Sequence, residues 1–233
     1  MSDAEFAVSA DALHDRIRSL PRRDAIAVAC RGSGNPDGLA WLAEALELGE
    51  GQLVLDVGGG TGGPAAWLAD RYGCRVVVVD PVEEAARVAA DVFGVPALVA
   101  GGAAVPLAGR AHAVLSLGVL SVVDDPHAML AEARRLAPRL GLLEWCATGD
   151  AAVEVAGSRF PTVDELATML GDAGWDVDAG PEAPSLPAPP SWRRVEAPSP
   201  TDEEDEVAAV IEDGALRPQV VVCSAAGRAL TLR

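Results

Sequence analysis

The chain is 233 residues long, half of them hydrophobic and 23% charged, which suits one globular domain with additions and excludes collagen-like, coiled-coil and low-complexity architectures. Its 18 basic residues face 35 acidic ones, a formal net charge of −17, the wrong sign for tracking a nucleic-acid backbone or an anionic membrane surface. Phe6, Ala10, Leu13, Ile17 and Leu20 recur at steps of three and four, so residues 4–20 are expected as one amphipathic helix stopped by Pro21. Residues 24–30 are an apolar stretch and residues 31–38 are turn-rich. Leu39, Leu42, Ala43 and Leu46 mark a second helix, with Asn35 as its cap and Pro36 first inside it. Residues 1–50 thus read as a helical cap ahead of a domain spanning residues 51–233.

Residues 52–57, 75–80, 97–100, 113–117 and 140–147 are short apolar runs, and strands buried on both faces are expected there. Helices are expected over residues 64–72, 82–92 and, with Asp125 capping and Pro126 in the first turn, on to residue 137. Residues 219–223 read as a last strand. Thr162 with Glu165, and Thr201 with Glu204, form capping boxes for helices through residues 173 and 212. The acidic run at 202–206 then opposes a helix dipole. Residues 181–200 are proline-rich and read as a long loop. Strands alternating with helices predict an α/β fold, a doubly wound, mostly parallel sheet with helices on both faces.

Cys30, Cys74, Cys146 and Cys223 lie far apart without a C-x-x-C pair, so free buried thiols are expected rather than a zinc site or a disulfide framework. The first dozen residues lack a basic region followed by an apolar run, and no stretch approaches the roughly 20 apolar residues of a membrane helix. A cytoplasmic, reduced protein is expected.

The chemistry concentrates in residues 53–69, LVLDVGGGTGGPAAWLA, where a buried strand runs into glycines and then a helix. Glycines let a ligand approach the backbone, and the helix start offers unpaired N–H groups. Gly58, Gly60 and Gly63 also satisfy the dinucleotide pattern G-x-G-x-x-G, which leaves a nicotinamide oxidoreductase open. Asp56 lies inside an otherwise apolar strand end, where an unpaired carboxylate costs several kcal/mol. It needs a cationic or N–H partner, from the loop itself or from a ligand's ammonium group. Asp80 ends the next strand, 20 residues beyond Gly60, where a carboxylate can accept both hydroxyls of a ribose.

At these residues the chain resembles the class I S-adenosylmethionine-dependent methyltransferases. Their D-x-G-x-G-x-G loop is present as Asp56, Gly58, Gly60 and Gly62, and GGPAAWLA is similar to the version in small-molecule enzymes of natural-product and quinone type. The resemblance runs from about residue 38 to 145 and faintly to the end, where RPQVVVCSA resembles the antiparallel last strand of a seven-stranded sheet. It implies S-adenosylmethionine as cofactor. Gly58, Gly59 and Gly60 would meet its methionine part, Asp80 its ribose and Pro81 the adenine edge. Gly102 and Ala103 would lie near the adenine, and Leu117 with Gly118 would border the cofactor. The chain departs from the family in lacking an acid at Gly102, in His112 replacing an aspartate, and in Pro138-Arg139-Leu140 replacing Pro-Gly-Gly.

The implied reaction is methyl transfer to a small, largely apolar acceptor, with no metal required. Asn35, Trp145, Phe160 and Trp192 are candidates for lining the acceptor pocket. No catalytic residue is assigned. His14, His112, His127 and Glu144 are candidate bases, each with a readier structural reading, Glu144 as a strand residue paired to arginine. An alternative is a cofactor-binding protein that transfers no methyl and shapes its pocket for a partner or for another reaction such as cyclisation. A homodimer is compatible with either.

Overall fold

The computed structural model describes residues 3–30, 35–179 and 202–226. Three helices come first: α1 (Asp3–Ile17), α2 (Arg22–Ala29) and α3 (Pro36–Ala45). An alternating middle follows, with β1 (Leu53–Val57), α4 (Gly63–Tyr72), β2 (Arg75–Asp80), α5 (Glu83–Phe93), β3 (Ala97–Val99), β4 (Ala113–Leu117), α6 (Pro126–Leu136) and β5 (Arg139–Ala147). The last part holds a hairpin of β6 (Val153–Val155) and β7 (Ser158–Phe160), then α7 (Val163–Asp172), β8 (Trp175–Ala179), α8 (Asp202–Glu212) and β9 (Leu216–Ala225).

Seven strands form one sheet in the order β3-β2-β1-β4-β5-β9-β8. β1 to β5 pair in parallel, while β9 runs antiparallel to both neighbours, β5 and β8. The strand order reverses between β1 and β4, which opens a crevice at the carboxyl ends of these strands. The inserted antiparallel β9 departs from the 3-2-1-4-5-6 order of dinucleotide-binding sheets and so weighs against the nicotinamide reading.

Side chains alternate across the sheet as the period of two requires. Val54, Val78, Leu115 and Leu143 face one layer, packed with Leu13 and Ile17 of α1, Val28 of α2 and Leu39 and Leu42 of α3. Leu55, Val57, Val114, Leu140 and Leu142 face the other, with Leu130 and Leu136 of α6 and Leu170 of α7. The first three helices therefore share the core of one sheet face.

The capping expectations hold at three helices, Asn35 capping α3. Asp125 accepts from Ala128 N at 2.8 Å, and Thr162 with Glu165 makes both bonds of the box. Thr201, residues 31–34 and the proline-rich segment 181–200, with Trp192, lie outside the described residues.

One expectation needs correction, and three features were not foreseen. The first helix stops at Ile17, and the apolar stretch after Pro21 is itself a helix, α2, because proline ends one helix and starts the next. The β6–β7 hairpin turns on Ala156 and Gly157, both at positive φ (50° and 73°), a geometry that alanine does not advertise. β8 reads WDVDA, too polar to announce a strand, yet it lies at the sheet edge and pairs only with β9. Arg139, in place of a glycine, donates to Ala45 O at 2.7 Å and pairs with Glu47 at 3.3 Å, pinning the end of α3 to the start of β5.

Candidate functional site

The glycine crossing from β1 to α4 sits at the head of the crevice. Gly58 N donates to Val79 O at 2.7 Å, so the turn begins on the neighbouring strand. Its glycines are required by close approach: a Cβ on Gly58 would lie 2.5 Å from Val119 Cγ2, and one on Gly63 would lie 2.5 Å from the backbone of Ala29. α2 thus ends against the start of α4, and Thr61 Oγ1 donates to Ala29 O at 3.3 Å.

Two carboxylates flank this crossing. Asp80 ties it down: Oδ2 accepts from Gly60 N at 2.8 Å and Oδ1 from Val82 N at 3.0 Å. Asp56 is fully buried, and neither of its oxygens has a hydrogen-bond partner among the described residues. The loop therefore does not supply the donor that the sequence requires. Burial, and secondly the charge of Asp80, push the Asp56 carboxyl up to about 7. The Cys30 thiol at the end of α2 is pushed well above its ordinary range by its own burial and by Asp56.

The turn after β4 closes the crevice on the other side. Glu144 of β5 is buried, and its Oε1 accepts from Val119 N at 2.9 Å, Leu120 N at 3.2 Å and Ser116 Oγ at 3.5 Å. The expected arginine pairing is therefore wrong: backbone N–H groups satisfy this acid. Burial raises its carboxyl to about 7 against the lowering effect of those donors. Because Val119 also packs on Gly58, Glu144 is linked through this turn to the crossing.

The remaining candidates spread out. Leu117 ends β4, and Gly118 N donates to Leu143 O at 2.8 Å. Pro81 and Ala103 are exposed. Gly102 has no room for the acid found in relatives, since a Cβ there would lie 2.9 Å from Val57 Cγ1 and 3.2 Å from Met129 Sδ. Asn35 caps α3, accepting from Gly38 N at 2.8 Å, as the structural reading of that residue has it. Trp145 is half-buried opposite Pro218 of β9, and Phe160 is buried on β7.

His112 precedes β4, at its end away from the crevice, with Nε2 2.9 Å from Leu46 O. His14 lies between Asp15 and Asp91, and His127 is exposed in the first turn of α6. All four cysteines are free thiols, and Cys30 is the one not fully buried.

Sequence reasoning missed three residues at the crossing. Val119 and Cys30 carry no local signal there, and Phe6, legible only as an apolar position of α1, reaches Gly60.

The methyltransferase domain family matches residues 55–143, which include the crossing, β2 to β4 and the first half of β5. Among solved structures, the [4+2]-cyclase SpnF is similar at 17% identity and a TM-score of 0.65, over 81% of this chain and 80% of that one. The geranyl diphosphate C-methyltransferase from Streptomyces coelicolor A3(2), complexed with Mg2+, geranyl diphosphate and S-adenosyl-L-homocysteine, gives 17% and 0.65, over 81% and 78%. A chain of the complex between the Haloferax volcanii Trm112 methyltransferase activator and the putative methyltransferase gives 21% and 0.64, over 95% and 98%. No curated protein matches the chain. Residues 55–143 thus match a methyltransferase domain, and the chain has the fold that these solved structures share.

Proposed function

We propose that this methyltransferase acts on a small, largely apolar acceptor held above the ends of β4 and β5, and that Asp56 and Asp80 hold its cofactor. The observation that carries the reading is the Asp56 carboxylate, fully buried beneath Gly59 with no donor among the described residues. A buried acid without a partner fits a ligand that brings its own cation, such as the ammonium of the methionine moiety. The glycines are tight enough for a ligand to lie on the backbone.

When bound, S-adenosylmethionine supplies an electrophilic methyl group. The chain's own part is to bind, orient and exclude water. Asp56 would pair with the ammonium, and Asp80, which holds the crossing through Gly60 N and Val82 N, would lie beside the ribose. Gly58, Gly59 and Gly60 run along the methionine moiety, Pro81, Gly102 and Ala103 lie toward the adenine, and Leu117 walls the reacting end. Aligning an acceptor in this way contributes roughly 7–11 kcal/mol without a base.

The net charge of −17 supports an acceptor that is not a polyanion. Residues 1–50 would form a cap over the acceptor, with Asn35 and Trp145 toward it. Among the described residues no helix is long and apolar enough to cross a membrane. Free thiols support a cytoplasmic setting, and the similarity to natural-product enzymes supports a role in secondary metabolism.

Isothermal titration with S-adenosylmethionine and S-adenosylhomocysteine tests the cofactor reading. Micromolar binding of both is expected. Failure of both to bind, with NADH binding instead, would overturn it.

A further inference from the structure

Five glycines line the crossing, and four are hemmed in by groups the fold holds in place. A Cβ on Gly58 would meet Val119, on Gly59 Asp56, on Gly62 Ala89, and on Gly63 the backbone of Ala29 and Cys30. Gly60 differs. Among the described residues, only the ring of Phe6 comes within 4 Å of where its Cβ would be, with Cζ at 3.4 Å and Cε1 at 3.9 Å. The one face of the crossing that fixed structure leaves open is therefore covered by a single aromatic ring.

Phe6 sits near the start of α1 and is half-buried. The helix is anchored further along, by the fully buried Ala10, Leu13 and Ile17 and by an ion pair between Asp11 and Arg87 of α5. Anchor and ring are thus separate parts of one helix.

We propose that Phe6 is a specificity-determining residue, whose ring face lies against the sulfonium of bound S-adenosylmethionine. This rests on the cofactor reading above and deepens it. An aromatic face attracts a cation within about 6 Å of its centre. The sulfonium is charged before transfer, whereas the thioether left afterwards is neutral. The contact therefore favours substrate over product, and its loss on methyl transfer helps the product leave.

The test compares Phe6→Leu and Phe6→Trp by isothermal titration with S-adenosylmethionine and S-adenosylhomocysteine, with circular dichroism confirming that each variant is folded. Phe6→Leu is expected to weaken S-adenosylmethionine roughly three- to tenfold and to leave S-adenosylhomocysteine within about twofold. Phe6→Trp is expected to keep the preference for the charged ligand. Equal weakening of both ligands in Phe6→Leu would make the ring a plain wall, and tightening of both would make it a plug. Either overturns the proposal, as does loss of the preference in a folded Phe6→Trp. If the unsubstituted protein binds neither ligand, the cofactor reading itself falls, an outcome distinct from these.

Discussion

The crossing after β1 and the turn after β4 each hold a buried carboxylate raised to about 7, yet the two are built in opposite ways. Glu144 takes two backbone N–H groups and a hydroxyl, all from its own chain. Asp56 takes none among the described residues. A carboxylate that serves the fold is given donors by the fold, as Glu144 is, whereas the cofactor reading proposed above gives Asp56 its partner from outside.

The sharpest way to break this comparison is Asp56→Asn, expected to weaken S-adenosylmethionine about a hundredfold or more by titration, since it strips a buried cation of its partner. The same variant should stabilise the ligand-free protein. Because the Asp56 carboxyl rises from 3.8 to about 7, its stability term is full below the lower value and is lost as pH climbs through the upper one. At pH 8 the whole penalty is present, and its removal should raise Tm by about 4–8 °C. A fall in Tm at pH 8 would show that Asp56 is a structural acid after all.

Glu144→Ala should do the reverse. It leaves Val119 N and Leu120 N buried without an acceptor, at about 1–3 kcal/mol each, and should lower Tm by about 6–12 °C. Glu144→Gln keeps a carbonyl acceptor and should recover much of that loss. As a control at the far end of β4, His112→Gln should cost about 1 kcal/mol or less and leave cofactor affinity unchanged.

A further effect is on pH dependence. To pair with an ammonium, Asp56 must first lose its proton, so affinity should rise between pH 5.5 and 7.5, by up to about tenfold per unit below 7. Titrations across that range should show the rise in the unsubstituted protein and a flatter profile in Asp56→Asn. A slope that survives in Asp56→Asn would assign the proton to Glu144, whose carboxyl is raised to the same region.

Much of this was legible before any coordinates. β2 and β4 fall on the residues expected, and the helix after Asp125 begins where its cap places it. The sequence also singles out Asp56 and Asp80, and the structure places both against the glycine crossing. What could not be read is instructive. The donors to Glu144 are N–H groups of a turn some 25 residues earlier, and backbone donors carry no side-chain signature, so an arginine was the natural guess. The missing acid at Gly102 has a reason that only packing shows, since a Cβ there would crowd Val57 and Met129. β8 was invisible because an edge strand with two aspartates lacks the apolar run of an inner one.

By itself the sequence determined the order of strands and helices from β1 to β5 and the glycine crossing with its acids, because periodicity, capping and glycine–acid spacing are relations between neighbours along the chain. Only the tertiary structure decided which carboxylate would be satisfied and which left bare, and that α1 would lay Phe6 over Gly60. Hydrogen-bond satisfaction and close approach are settled between segments far apart in sequence, where packing rather than pattern sets who meets whom.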